Sequence, residues 1–126
     1  MKPNDHPEAI DTTIQEIADW LRQDLAAPPQ TPEICQRFGL TEYRLKTGFV
    51  ARFGLRPGAW IRQQRLRIAA ARLAGTADTI AAIAESVGYR NPSRFADAFR
   101  KLYGMGPTDY RLQQTPPPSA ENAGEF

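Results

Sequence analysis

Residues 83–110 read IAESVGYRNPSRFADAFRKLYGMGPTDY, and residues 34–60 read ICQRFGLTEYRLKTGFVARFGLRPGAW. The two stretches are imperfect copies of one pattern, which predicts a repeated structural unit. The paired positions are Ile34/Ile83, Cys35/Ala84, Gly39/Gly88, Leu45/Phe95, Phe49/Phe99, Phe53/Tyr103, Gly54/Gly104, Pro57/Pro107 and Trp60/Tyr110. The first three pairs are offset by 49 residues and the others by 50, so one extra residue lies in the second copy between Gly88 and Phe95.

Each copy is typical of a helix-turn-helix. A short helix ends at a glycine, which adopts positive φ without penalty, and a tight turn leads to a second helix. A small residue in the first helix, Cys35 or Ala84, lets the two helices approach closely. In DNA-binding examples the second helix enters the major groove. The alternative at this point is a ligand-free repeat of helical hairpins, but two copies separated by a long helix are too few for a solenoid.

The rest of the chain also indicates helices, because no stretch alternates apolar and polar residues as a half-buried strand does. Isoleucines and leucines spaced three and four residues apart predict a first helix over about residues 9–27, ended by Pro28-Pro29. Thr31 and Pro32 are expected to start the second helix, with Thr31 as its N-cap. Caps, prolines and glycines place five more helices at about 41–53, 57–74, 79–88, 92–103 and 107–112. The predicted fold is all-α, with seven helices forming two helix-turn-helix subdomains joined by a long linker helix.

The expected organisation has five parts. They are a flexible N-terminus (1–8), a first helix-turn-helix subdomain (9–56), the linker helix (57–74), a second helix-turn-helix subdomain (75–112) and a flexible, proline-rich tail (113–126). At about 1.5 Å per residue the linker helix spans roughly 27 Å. The second helices of the two subdomains are therefore expected about one DNA turn apart, roughly 34 Å, which suits two successive major grooves.

Charge is distributed unevenly along the 126 residues. Residues 1–30 carry a balance of −4, residues 31–112 carry +8 and residues 113–126 carry −2, giving the net +2. A basic body of this kind attracts polyanions, and nucleic acid is the leading candidate. The alternative is an ordinary solvated surface with mild positive charge.

Composition argues against several other classes. The 41% of hydrophobic residues can fill a packed core, and no run resembles a membrane span or a signal peptide, so we expect a cytoplasmic protein with no membrane partner. One cysteine, Cys35, and one histidine, His6, make neither a zinc site nor a catalytic triad. Nucleotide-binding glycine motifs are missing too. We therefore expect no enzyme, no catalytic residues, no metal, no cofactor and no small-molecule ligand.

Helical geometry predicts which side chains face DNA. In helix 41–53, Leu45 and Phe49 face the core, and the opposite side carries Tyr43, Lys46, Thr47 and Val50, with Arg44 at its edge. In helix 92–103, Phe95 and Phe99 face inward, and the outer side carries Ser93, Ala96, Asp97 and Arg100, with Arg94 at its edge. Lysine and arginine suit guanine, aspartate suits the cytosine amino group, and a threonine or valine methyl suits the thymine methyl.

Phosphate contacts are expected beside these faces. Thr41 and Asn91 stand at helix N-termini, whose backbone amides bind phosphate. The basic candidates are Arg52, Arg90, Arg94, Arg100 and Lys101. Gly48 in mid-helix costs roughly 1 kcal/mol relative to alanine, which a close approach of another helix or of DNA would explain. Cys35 is expected to be a small buried hydrophobic residue.

The stretch Gly88–Arg111 resembles the C-terminal signature of the AraC/XylS family of bacterial transcription regulators. The family pattern is roughly G-Y-x-x-x-S-x-F-x-x-x-F-(K/R)-x-x-(F/Y)-G-x-x-P-x-x-(Y/F)-R. The segment Phe49–Leu73 also resembles the family, and the match covers about residues 10–112. The resemblance implies a seven-helix DNA-binding domain that regulates promoters, often as an activator touching RNA polymerase. The positions that match family base contacts are Tyr43, Lys46, Thr47, Pro92, Ser93, Arg94 and Asp97.

Two functional hypotheses follow. The first is a sequence-specific regulator of transcription whose partner is double-stranded DNA. The alternative is a non-enzymatic protein-interaction module of the same fold that modulates another regulator or RNA polymerase. Most members carry a separate sensor or dimerisation domain, for which 126 residues leave no room, so the chain is either a stand-alone form or a fragment of a longer regulator.

Overall fold

The computed structural model describes residues 7–114, and seven α-helices account for most of them. They are α1 (Pro7–Leu21), α2 (Thr31–Phe38), α3 (Glu42–Phe53), α4 (Pro57–Gly75), α5 (Ile80–Ser86), α6 (Pro92–Tyr103) and α7 (Pro107–Gln114). Residues 7–114 contain no strand, and the predicted all-α fold with seven helices is confirmed. None of these helices combines the length and the apolar character needed to cross a membrane.

The chain divides within α4 into two compact units, one ending at Gln64 and the other beginning at Arg65. The predicted linker helix, residues 57–74, corresponds to α4. The subdomain bounds 9–56 and 75–112 stay a prediction. The predicted flexible ends lie outside the described residues, except that positions 7, 8, 113 and 114 belong to α1 and α7.

The core of the first unit forms between α1 and α3. Ile14, Ile17 and Leu21 on α1 are buried, as are Leu45 and Phe49 on α3. The apolar spacing of these residues places each set on one side of its helix, so the two sides can pack together. The remaining buried hydrophobic residues of this unit are Ala18, Leu25, Ile34, Leu40, Trp60 and Ile61.

Gly48 on α3 faces Ile14 on α1. A Cβ atom at this position would stand 2.7 Å from both Cδ1 and Cγ1 of Ile14, a side chain with no solvent exposure. The glycine in mid-helix is therefore explained by the close helix–helix approach that the sequence suggested. The missing side chain lets the two helices pack with their backbones unusually near each other.

Helix α1 ends at Leu21, six residues before the expected end near residue 27. After Arg22, the backbone hydrogen bonds span three residues instead of four. Gln23 N–H donates to the Trp20 carbonyl at 3.2 Å, and Asp24 N–H donates to the Leu21 carbonyl at 3.3 Å. The Asp24 side chain then accepts from Ala27 N–H at 3.3 Å, a local turn that competes with the helix. Leu25, which the periodic pattern had placed on the helix, is buried from this loop instead.

The N-cap of α2 is Gln30 rather than the expected Thr31. Gln30 has extended backbone angles and its side chain makes no capping bond, while Thr31 is already helical and Pro32 occupies the first turn. Proline is tolerated in the first turn of a helix, because the N–H that it lacks would have no partner within the helix there. The first turn of α2 is therefore set by proline and by Glu33 rather than by a threonine hydroxyl.

The second unit repeats the packing of the first. Its core comprises Leu66, Ala69, Ala70, Leu73, Ile83, Ala84, Val87, Phe95 and Phe99. The aromatic pairs predicted by the repeat take up matching arrangements: Phe99 lies 4.6 Å from Tyr103 and 5.2 Å from Tyr110 between ring centroids. In the first unit, Phe49 lies 5.3 Å from Phe53 and 5.6 Å from Trp60. The repeat in the sequence is thus a repeat in the structure.

Both turns contain a glycine in the left-handed region, Gly39 with φ 68° and Gly88 with φ 97°. A residue with a Cβ atom would be strained there. Helix α5 ends at Ser86 instead of continuing to Gly88, and five residues separate it from α6, compared with three between α2 and α3. The second turn is therefore longer, in the direction that the one-residue offset predicted.

Candidate nucleic-acid interface

Helix α3 is the second helix of the first helix-turn-helix. The Thr41 hydroxyl caps it by accepting from Arg44 N–H at 3.1 Å, and Gly54 ends it by donating its N–H to the Val50 carbonyl. Leu45 and Phe49 are 1% and 0% exposed, so the inward side of the helix is fixed by packing. The opposite side must then face solvent.

The exposed face of α3 carries the side chains that the sequence predicted. Tyr43 is 72% exposed and Lys46 is also exposed. Thr47 is half-buried, and its hydroxyl donates to the Tyr43 carbonyl at 2.9 Å within the helix. That bond uses the only hydroxyl proton, so Thr47 has an acceptor oxygen and a methyl group left for a ligand. Arg44 is half-buried at the edge of the face.

Helix α6 is the second helix of the second helix-turn-helix. The Asn91 side-chain oxygen accepts from two backbone amides, Ser93 N–H at 2.9 Å and Arg94 N–H at 3.2 Å. This double cap fixes the first turn, and Phe95 and Phe99, both 0% exposed, fix the inward side. The helix therefore begins rigidly at the end that would meet a groove.

The candidate side chains of α6 are exposed: Pro92, Ser93, Arg94, Asp97, Arg100 and Lys101. Asp97 and Arg100 form an ion pair one turn apart, with 3.6 Å between Oδ1 and Nη1. Both side chains are more than half exposed, so this pair is weak and both groups stay accessible. A carboxylate has two oxygens, so Asp97 can accept a hydrogen bond from a cytosine amino group while one oxygen faces Arg100.

The other predicted phosphate-binding residues, Thr41, Arg90 and Asn91, are exposed at the turns before α3 and α6. Thr41 and Asn91 already cap their own helices, so a phosphate there would bind to the helix end beside the cap rather than to the side-chain oxygen. Arg90 precedes Asn91 and adds positive charge at the start of α6.

Arg52 differs from the other phosphate candidates. Its guanidinium donates to Asp11 Oδ2 at 2.8 Å and to Gln15 Oε1 through Nε at 2.8 Å, and it lies over the Phe53 ring. On the helical wheel it follows the side of Leu45 and Phe49 rather than the exposed face. Because the guanidinium is engaged by α1, we do not count Arg52 among the phosphate-binding residues. Asp11 and Gln15 lie one turn apart on α1, and no local spacing rule connects them with Arg52.

Two titratable side chains are perturbed. Burial, and then the negative charge of Glu42, raises the pKa of the Cys35 thiol, so it stays protonated. Cys35 is half-buried and not fully buried as expected. Burial also raises the pKa of Tyr103, with Tyr110 adding to the increase and Arg67 opposing it. Neither group lies on the exposed faces of α3 or α6, and the described part of the chain brings no three His, Cys, Asp or Glu side chains together as a metal site.

Sequence reasoning missed two arginines, one at each end of α4. Arg111 donates from Nε to the Leu73 carbonyl at 3.0 Å and from Nη2 to the Thr76 carbonyl at 3.3 Å, which satisfies the C-terminal end of α4. Its place in the family pattern marks it as a fixed arginine without giving this role. Arg56, which is exposed just before α4, shares a groove with Lys46 and had no signal in the helix-face argument.

Comparison with known proteins finds regulatory proteins of similar sequence. A family model described as a helix-turn-helix domain matches residues 34–113. The regulatory protein SoxS of Salmonella typhimurium is 30% identical over 98 residues, which cover 78% of this chain and 92% of SoxS. An AraC-like transcription regulator of Streptomyces antibioticus is 29% identical over 118 residues, which cover 87% of this chain, but the chain spans only 39% of that regulator.

Solved structures share the fold. The DNA-binding domain of the transcriptional factor AdpA, determined in complex with a target DNA, matches with a TM-score of 0.73. The identity is 22%, and the match covers 80% of this chain and 91% of that one. At this identity the likeness establishes the seven-helix architecture.

Proposed function

This chain belongs to the AraC/XylS family of transcription regulators, and on that premise we propose that it binds double-stranded DNA sequence-specifically and regulates transcription. The observation that carries the proposal is the pair of helices α3 and α6. Each buries a pair of residues on one side, Leu45–Phe49 or Phe95–Phe99, and leaves its opposite side largely exposed, with basic groups on or beside it. A helix of this shape after a tight turn fits the major groove.

The exposed residues divide by chemistry into base and phosphate contacts. We assign base contacts to Tyr43, Arg44, Lys46, Thr47, Pro92, Ser93, Arg94 and Asp97. We assign phosphate contacts to the turns and the flanking cations, at Thr41, Arg90, Asn91, Arg100 and Lys101. Phosphate contacts set affinity and register, while base contacts set sequence preference.

Each unit supplies one such helix, and α3 and α6 would enter successive major grooves. A footprint of two protected segments about 10 base pairs apart would support this arrangement. Selection of bound fragments from random duplex DNA would return the site and its spacing directly.

A salt titration tests duplex binding itself. Arg90, Arg100 and Lys101 would neutralise about three phosphates, so log K should fall with log salt with a slope of roughly −3. We expect measurable duplex binding at low salt by fluorescence anisotropy. Failure to bind any duplex in the selected pool at low salt would refute the proposal.

Two substitutions test the assigned helices. Arg94→Ala and Lys46→Ala should each weaken binding to the selected site by about 1–3 kcal/mol if they reach bases, and should relax preference at one position. Arg22→Ala is the matched control, because it removes an arginine that follows α1 and lies outside α3, α6 and the turns before them. Unchanged affinity and unchanged preference would remove the substituted residue from the base-contact set.

Three further assignments belong to the same proposal. The chain would act in the cytoplasm, would contact RNA polymerase as an activator and would have no catalytic activity. The same fold without DNA affinity would instead indicate a protein-interaction module. Co-purification with a regulator or polymerase, together with absent duplex binding, would favour that alternative.

A further inference from the structure

One open groove of the first unit contains a cation that helix-face reasoning did not select. Lys46 from α3 and Arg56 from the turn before α4 both line this groove, and both are exposed. Glu42 also lines it, from the first turn of α3, where the helix dipole favours a carboxylate. Arg56 thus lies beside a residue already assigned to DNA.

The repeat supplies the counterpart of this position in the second unit. Arg56 and Gly106 each precede the proline that starts a helix. Trp60 N–H donates to the Arg56 carbonyl at 2.9 Å, and Tyr110 N–H donates to the Gly106 carbonyl at 2.9 Å. The two residues therefore have the same backbone role, but only the first has a side chain.

The second unit nevertheless has a guanidinium at this place. A Cβ atom built on Gly106 would stand 3.6 Å from Nη2 of Arg100. The repeat counterpart of Arg100 is Val50, which is 44% exposed and carries no charge. In the first unit, Arg56 supplies a guanidinium from the turn before α4 itself. In the second unit, Arg100 on α6 supplies a guanidinium beside the turn before α7.

We propose that Arg56 binds a phosphate of the DNA backbone and replaces, in the first unit, the cation that Arg100 supplies in the second. This inference rests on the proposed function. An arginine fork matches the oxygens of a phosphate, and the groove brings this fork next to Lys46 on the helix that reads bases. Arg56 therefore positions the first recognition helix on the duplex without selecting its sequence.

A serine substitution separates binding from folding. Arg56 stands at the N-terminal end of α4, where a cation opposes the helix dipole and serine is a favourable cap. Arg56→Ser should therefore leave the unfolding temperature unchanged or raise it. The same variant should bind the selected site several-fold more weakly, with its sequence preference intact and a salt slope less negative by about 0.9.

The control removes the same charge elsewhere. Arg22→Ser should keep the slope of the wild type, because Arg22 follows α1, outside α3, α6 and the turns before them, and its guanidinium lies over the Trp60 ring at 5.1 Å. Unchanged affinity and slope in Arg56→Ser would overturn the inference, and so would a loss of affinity that comes with a lowered unfolding temperature. In either case the proposed function would survive, since it is judged by wild-type binding alone.

Moving the charge gives a second, independent test. Arg100→Val should weaken binding, and Arg100→Val/Gly106→Arg should restore affinity and slope, because it copies the Val50–Arg56 pair of the first unit into the second. Gly106 has no positive φ, and its nearest neighbour, Arg100, is truncated in this variant, so the turn accepts a side chain. A folded double variant that binds no better than Arg100→Val would overturn the equivalence of the two positions.

Discussion

Replacing Gly48 with alanine tests whether the close contact between α1 and α3 requires a glycine at this position. Elsewhere in a helix, this change would stabilise the protein by roughly 1 kcal/mol through helix propensity. Here the new Cβ would lie 2.7 Å from two atoms of Ile14, which is about 0.8 Å or more inside a normal carbon–carbon contact. Ile14 has no solvent exposure and a stiff, branched side chain, so it cannot move aside cheaply.

The magnitude follows from these opposing terms. Overpacking of this kind costs about 1–3 kcal/mol, which outweighs the gain in propensity. Gly48→Ala should therefore lower the free energy of unfolding by about 1–2 kcal/mol. In an Ile14→Ala background, which removes both clashing atoms, the same change should become stabilising by up to about 1 kcal/mol.

Urea unfolding of the four proteins, followed by circular dichroism, measures this reversal of sign. Ile14→Ala alone should destabilise by about 2–5 kcal/mol, so the double variant is the more stable of the two proteins that lack Ile14. An equal effect of Gly48→Ala in both backgrounds, or a stabilised Gly48→Ala single variant, would refute the role given to the contact.

Three further outcomes are expected. Asn91→Ala should destabilise by about 0.5–2 kcal/mol in urea unfolding, because it removes the acceptor of two amides of α6, and an unchanged midpoint would contradict the cap. Arg111→Ala should cost about 1 kcal/mol, and Arg111→Lys should recover only part of it, because the planar fork donates to two carbonyls; full recovery by lysine would argue against that geometry. Burial raises the pKa of Tyr103, so its stabilising effect is present below the ordinary tyrosine value and is lost as the pH rises through the folded-state pKa. Tyr103→Phe should flatten the fall of unfolding free energy between about pH 9 and 11, and a profile identical to that of the wild type would oppose the argument.

Helix boundaries that carry a local signal could be predicted from the sequence. Thr41 and Asn91 cap α3 and α6 as expected, because a side-chain oxygen followed by a helical pattern is a local signal. The end of α1 could not be predicted in the same way. Leu25 is buried but lies in a loop, and apolar spacing reports burial without telling whether the backbone is still helical.

In the candidate interface, too, local patterns could be predicted from the sequence, whereas contacts between distant residues could not. The exposed sides of α3 and α6 follow from the buried pairs Leu45–Phe49 and Phe95–Phe99, since a helix has one inward side. Arg52 was assigned to phosphate from its charge alone, and its engagement by α1 depends on residues 37 and 41 positions away. Contacts over such distances need the packed structure, because composition and spacing do not specify them.

The repeat explains why the two units should read different sequences. Positions that pack inward are shared by both copies, whereas the outward positions differ: Tyr43 corresponds to Ser93, Lys46 to Ala96, Thr47 to Asp97 and Val50 to Arg100. Inward residues of both copies pack in cores of the same kind and are therefore alike, whereas outward residues are limited only by what they touch. A lysine and a threonine methyl favour guanine and thymine, while an aspartate favours cytosine. The two half-sites should therefore be unlike in sequence, and a substitution in α3 should relax preference in one of them and leave the other intact.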